Sequence, residues 1–221
     1  MDAIASYGYT KIVDEICELD WIHLTNEEMI AAACAYYYFS IQFRENLLIA
    51  RDLFASDPKL AQLEREECNT ANLSPWPGVA LPNEKMNHDE FMRRTLLLQP
   101  IPAEAEARVK IAGEAYLATI RSEEPMARAL SIASYEDGGL EAVFRAILQY
   151  RNWDSDLLRA FEHFLVEHVR FDSDPDAGHG ALSRHLRPDE RVLPLWVAFK
   201  QLFVACVGRF QEEEIGSAAL V

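Results

Sequence analysis

The chain has 221 residues, half of them hydrophobic, which is enough to bury a sizeable core. Lys and Arg number 21 against 36 Asp and Glu, and the net charge of −15 disfavours non-specific binding to nucleic acid or to an anionic membrane. Charges interrupt every apolar run before the ~18–20 residues that a membrane span requires, and no basic run offsets the acidity.

The stretch from Met1 to Asp20 has neither the basic nor the apolar region of a signal peptide, so no leader is expected. Cys17, Cys34, Cys68 and Cys206 lie far apart without a CxxC pair, which reads as reduced, mostly buried thiols. No linker divides the chain. The expectation is one cytoplasmic domain over residues 1–221, with no nucleic-acid or membrane partner and with a homodimer allowed.

Helical signals dominate in chain order, and no run of strict alternation bounded by turn residues points to a sheet. Thr25 and Glu28 form a capping box that opens a long helix running through Ala55. Asp57 and Pro58 are an N-cap and first-turn pair, starting a second helix that runs to Cys68. Asn69 to Asn83 is rich in Pro and Asn and reads as a loop. Further helices are expected over HDEFMRRTLLL, from Pro102 through Ser122, as a pair from Pro125 to Tyr150, from Asp154 or Ser155 to Asp172, and after Arg191 to about Phe210. The fold class is therefore all-α, a bundle of seven to nine helices.

Several ligand-type side chains occupy positions where that periodicity asks for apolar residues. On the helix after Trp153, the stripe Leu158, Phe161, Leu165 continues in steps of three and four onto His168 and then Asp172. His179 lies seven residues further and stays on this face if the helix survives Pro175 and Gly178. Glu136 continues a stripe shared with Leu140, Val143 and Ile147. Glu67 follows Leu60 and Leu63, and His88 shares a face with Phe91, Met92 and Thr95. Each has a plainer explanation when taken singly: an i,i+4 pair at a fraying helix end, a surface acid at a Gly-Gly break, a solvated acidic face, an exposed helix start. Burying an imidazole or carboxylate costs several kcal/mol unless it is paired or bound to a cation. The recurrence on several helices is what points to a metal. Carboxylates and imidazoles on facing helices are the donor set of a di-iron or di-manganese site. Zinc is less favoured because the cysteines are not grouped.

The order Glu67, His88, Glu136, then His168-x3-Asp172 and a further His resembles the haem-oxygenase-like di-iron oxidases and oxygenases. LEREECN with NHDEFMRR, ASYEDGGLEAVF and FLVEHVRFD are the stretches that carry the likeness, which runs from about Tyr36 to Val207. The resemblance implies a haem-oxygenase-like fold and two Fe ions cycling between Fe2+ and Fe3+, held by Glu67, His88, Glu136, His168, Asp172 and His179. It also implies O2 as co-substrate and oxidation of a small metabolite in specialised-metabolite biosynthesis: N-oxygenation, C–C cleavage or nitrile formation. The sequence departs from the family in the SDPDAG insert before His179 and in the long loop between Glu67 and His88. His179 is thus the least secure ligand, with His163 and His185 as substitutes, and Glu66 competes with Glu67.

Aromatic residues Tyr36 to Phe39 on one helix, with Trp76 and Trp153 beside loops, lean the substrate toward an amino acid, aromatic ones included. Tyr38, Trp76 and Arg44 are the candidate substrate contacts, Arg44 and Arg94 each being able to hold a carboxylate in a bidentate pair. Two alternatives remain. One is a metal-free enzyme of the same fold, thiaminase-like or quinone-cofactor-synthase-like, using Cys34 or Cys68. The other is a non-catalytic acidic helical binding protein. A haem ligated by His23 is a remote third.

Overall fold

The computed structural model describes residues 8–68, 75–172 and 178–212, with the side chain of Asp172 outside the description. Among the described residues every regular element is a helix, apart from one isolated bridge between Trp76 and Ala80. The α-helices are α1 (Gly8–Cys17), α2 (Asn26–Leu53), α3 (Pro58–Glu67), α4 (His88–Leu96), α5 (Ala103–Ser122), α6 (Pro125–Ser134), α7 (Leu140–Ile147), α8 (Asp156–Asp172), α9 (His179–Ser183) and α10 (Leu193–Cys206). The all-α expectation holds. Eight of these match the expected helices; α1 and the short α9 are additions.

The expected caps are present. The Thr25 hydroxyl accepts from the Glu28 N–H, and the Glu28 carboxylate accepts from the Thr25 N–H, closing the capping box at the start of α2. The Asp57 carboxylate accepts from the N–H groups of Lys59 and Leu60, and Pro58 occupies the first turn of α3, where no amide donor is needed.

α2 is the axis of the bundle. Its run from Met29 to Tyr36 is buried at every position, which a helix exhibits only when neighbours surround it. Ala31, Ala32, Ala33 and Ala35 supply the small side chains that let them approach. α3, α4, α5, α6, α8 and α10 all pack against α2, while α1 lies on α7 and α10. Buried residues from Val13 to Phe210 form one apolar cluster. No helix among the described residues is long and apolar enough to cross a membrane.

α6 does not run straight into α7. Tyr135–Gly139 form a π-helical turn in which Asp137 (φ −86°, ψ 53°) and Gly138 (φ 94°) leave helical geometry. Position 138 demands a left-handed backbone that an L side chain resists, and glycine meets it without strain. Single π turns of this kind re-aim side chains and concentrate at functional sites. Here the re-aimed residue is Glu136.

Candidate metal centre

Five of the six expected ligands converge, each delivered by a different element. Glu67 is the last residue of α3, turned inward by the buried stripe Leu60, Leu63. His88 is the first residue of α4, on the buried face of Phe91, Met92 and Thr95. Glu136 comes from the π turn, His168 from α8 beyond Phe161, Phe164 and Leu165, and His179 from the start of α9. All five are buried, His179 completely. Asp172, the sixth, lies outside the described side chains.

His179 does not arrive by the route its spacing suggests. α8 is described as far as Asp172; Gly178 is extended (φ −69°, ψ 166°), and α9 begins at His179. The residue is recovered by tertiary packing, because α9 sits on α3 and on the π turn. Gly180 permits that seat: a Cβ there would stand 2.9 Å from the Glu136 carbonyl oxygen. The neighbouring Arg184 guanidinium donates to Asp137 at 2.9 Å and clamps the same contact. Gly180→Ala is expected to displace α9. The steric cost of roughly 1–3 kcal/mol exceeds the roughly 1 kcal/mol that Ala gains in a helix. A net loss on the order of 1 kcal/mol should appear in urea unfolding of the metal-free protein, and an unchanged midpoint would count against this packing.

Glu67 stands between two groups of donors. Its Oε2 is 2.7 Å from His88 Nδ1, and its Oε1 is 2.7 Å from His179 Nδ1. His179 Nδ1 is also 3.3 Å from Glu136 Oε2, and His168 Nε2 is 3.2 Å from His88 Nδ1. Glu67, His88 and His168 each place a donor atom within 4.8 Å of the others, the geometry in which one cation could be held.

The electrostatics follow from burial and pairing. Burial pushes the Glu67 carboxyl up, but His88 and His179 outweigh it and hold the group well below its ordinary range. Glu136 is raised by burial, despite the opposing pull of His179. Burial lowers His179, yet Glu67, Glu136 and Glu66 around it drive it well above the usual imidazole value. His168 is pushed down to about 3, first by burial and then by His88, so it is neutral. Its Nδ1 is 2.7 Å from the Phe164 carbonyl, which can only accept, so the proton sits on Nδ1 and the Nε2 lone pair faces the site.

The residues fit a metal. The buried Glu67 carboxylate has His88 Nδ1 and His179 Nδ1 each 2.7 Å from one of its oxygens, and Glu136 Oε2 is 3.3 Å from the same His179 nitrogen. Two buried carboxylates and the imidazoles beside them thus gather their donor atoms in one small volume. Burying such groups is costly unless they are paired or bound to a cation, and this donor set can hold one. Nitrogen and oxygen donors without thiolate suit iron or manganese.

A cavity of about 20 Å³ adjoins the four residues Glu67, His88, Glu136 and His168, with Tyr36, Ser40, Phe43 and Leu140 as its remaining walls. It holds about one water-sized molecule. Tyr36, Ser40 and Phe43 recur at steps of four and three along α2, so they share the inward face. The candidate substrate contacts lie elsewhere. Tyr38, two residues from Tyr36, is rotated about 200° around the helix and lies against Gly113. Arg44 is engaged by Asp89 through three hydrogen bonds of 2.8–3.1 Å, and Trp76 stacks on His163. Arg94 is held by Glu84, Glu90 and the Val79 carbonyl. The signal that would have found the cavity wall is Ser40, a polar residue on a stripe with two aromatics.

The substitute ligands also have other roles: His163 stacks on Trp76, and His185 pairs with Asp57. His23 sits at the surface beside Asp20. Comparison of the chain with models of known families, with curated proteins and with solved structures finds no match.

Proposed function

We propose that the protein is a non-haem dimetal oxidase or oxygenase of the haem-oxygenase-like helical class, which uses dioxygen to oxidise a small metabolite. The observation that carries this reading is Glu67, one buried carboxylate with an imidazole nitrogen 2.7 Å from each of its oxygens. A single carboxylate in that position could serve two cations at once. Glu67, His88 and His168 would hold one; Glu67, Glu136 and His179 would hold the other, to which Asp172 is assigned by resemblance alone.

Two iron ions, when bound, would supply the electrons and open coordination positions that dioxygen activation requires. The chain's own residues supply the rest. Glu67 and Glu136 balance the positive charge. Neutral His168, its proton held on Nδ1 by the Phe164 carbonyl, presents a lone pair without rearrangement. Tyr36, Phe43 and Leu140 keep bulk water from the face where dioxygen fits. An amino acid is the proposed substrate. It exceeds the cavity, so its entry requires these apolar walls to move.

A nucleophilic-thiol mechanism has less support, since a reactive cysteine needs a lowered pKa and burial pushes both Cys34 and Cys68 up to about 12. A non-catalytic acidic binding protein would have no use for buried carboxylates and imidazoles facing each other.

The test is metal stoichiometry. Anaerobic Fe(II) loading followed by desalting should leave iron on the wild-type chain, and His168→Ala and Glu136→Ala should each lower it. Loaded protein should also consume dioxygen faster with some members of an amino-acid panel. No more than trace iron on the wild type, with both variants unchanged from it, would refute the proposal.

A further inference from the structure

Glu66 precedes Glu67 on α3, about 100° around the helix, and so faces a different side of His179. Its Oε2 is 3.4 Å from His179 Nε2, while its Oε1 accepts from Gln62 Nε2 at 2.9 Å. The Oε2 atom is closed to solvent and accepts no aligned hydrogen bond. On the other edge of the same ring, Nδ1 faces Glu67 Oε1 at 2.7 Å and Glu136 Oε2 at 3.3 Å. An imidazole that offers the Nδ1 lone pair to a cation carries its proton on Nε2, and a buried N–H requires an acceptor.

We propose that Glu66 is a positioning residue rather than a ligand: its carboxylate receives the Nε2–H of His179 and thereby sets the tautomer, rotation and donor strength of that ring. The inference rests on the dimetal reading above and deepens it. The 3.4 Å spacing is longer than the usual 2.9–3.0 Å of an N–H···O bond, and the proposal requires it to shorten when the ring is held at Nδ1. The two metal positions are then unequal by construction. His168 is backed by a neutral backbone carbonyl at 2.7 Å, whereas His179 is backed by a carboxylate, which makes its imidazole the more basic donor. Glu66 also gains its orientation from Gln62, one helical turn earlier, through the oxygen that His179 does not use.

The test is an anaerobic titration of the full chain with Co(II), followed by visible absorption and equilibrium dialysis. Wild type, Glu66→Leu and Glu66→Gln are compared, with His179→Ala and His88→Ala marking the spectrum of each position. Glu66→Leu should bind the equivalent at the His88 position as wild type does and the equivalent at the His179 position 10–100-fold more weakly, the usual effect of removing a partner behind a metal-bound histidine. Glu66→Gln, whose amide carbonyl still accepts, should recover part of that loss. The ratio of the two affinities within one molecule is insensitive to a general loss of stability, so a merely structural role would not move it. Unchanged binding of both equivalents in Glu66→Leu overturns the proposal, and equal loss of both overturns it in favour of a ligand or scaffold role. A wild type that takes up no second equivalent refutes the dimetal reading itself, which distinguishes that failure from the failure of Glu66.

Discussion

Glu67→Ala is expected to abolish uptake at both proposed metal positions, whereas His88→Ala, His168→Ala and His179→Ala should each leave one position competent. The difference follows from geometry: Glu67 is the residue whose two oxygens face the two donor groups, at 2.7 Å each. Stability reports the same event. A ligand that binds only the folded chain, at 100 times its dissociation constant, stabilises it by about 2.7 kcal/mol per site. A domain of this size gains roughly 2–4 °C per kcal/mol. Saturating Mn(II) should therefore raise the wild-type unfolding midpoint on the order of 10–20 °C, and should leave Glu67→Ala where it was. Calorimetry with and without Mn(II), alongside elemental analysis, reads both. Retention of one equivalent by Glu67→Ala would show that the carboxylate serves a single ion.

Phe164→Ala is expected to cause the largest loss in the metal-free protein. The ring is fully buried and meets Tyr36 at 5.5 Å, Phe91 at 5.7 Å and the His168 ring at 4.1 Å between centroids. Truncating a buried Phe costs about 3–5 kcal/mol through lost burial and the cavity left behind, or on the order of 10 °C in midpoint here. The metal effect should be smaller. The Phe164 carbonyl that fixes the His168 tautomer belongs to the backbone and survives the substitution. His168 loses only its packing wall, so iron content should fall less than in His168→Ala. Phe164→Leu, which restores most of the volume, should recover most of the stability. A loss under 1 kcal/mol in Phe164→Ala, measured by urea unfolding, would mean that the ring is not the keystone of this wall.

How far the site can be read without coordinates depends on whether the relevant signal lies within one helix. Glu67, His88 and His168 are legible because each interrupts an apolar stripe that a regular 3.6-residue period makes visible. Glu136 was found through a stripe shared with Leu140, Val143 and Ile147. The chain between them is a π turn with non-helical backbone at Asp137 and Gly138. The residue does point inward, but the turn directs it there. His179 is similar: the backbone is extended at Gly178, and a second helix packed on α3 brings the imidazole to the site. α1 escaped notice, although Ile12, Val13 and Ile16 form a short apolar face on it.

The sequence by itself determined the all-α class, the capped starts of α2 and α3, and the presence of carboxylates and imidazoles on inward faces. These depend on local period and on hydrogen bonds between near neighbours. Only the tertiary structure decided which donors meet: that Glu67 lies between His88 and His179, that Glu66 lies 3.4 Å from the other nitrogen of His179, and that Tyr36, Ser40 and Phe43 rather than Tyr38 wall the cavity. The physical reason is the same in each case. A rotation of 100° per residue separates neighbours on one helix, and which side of that helix meets a given partner is set by packing between elements far apart in the chain.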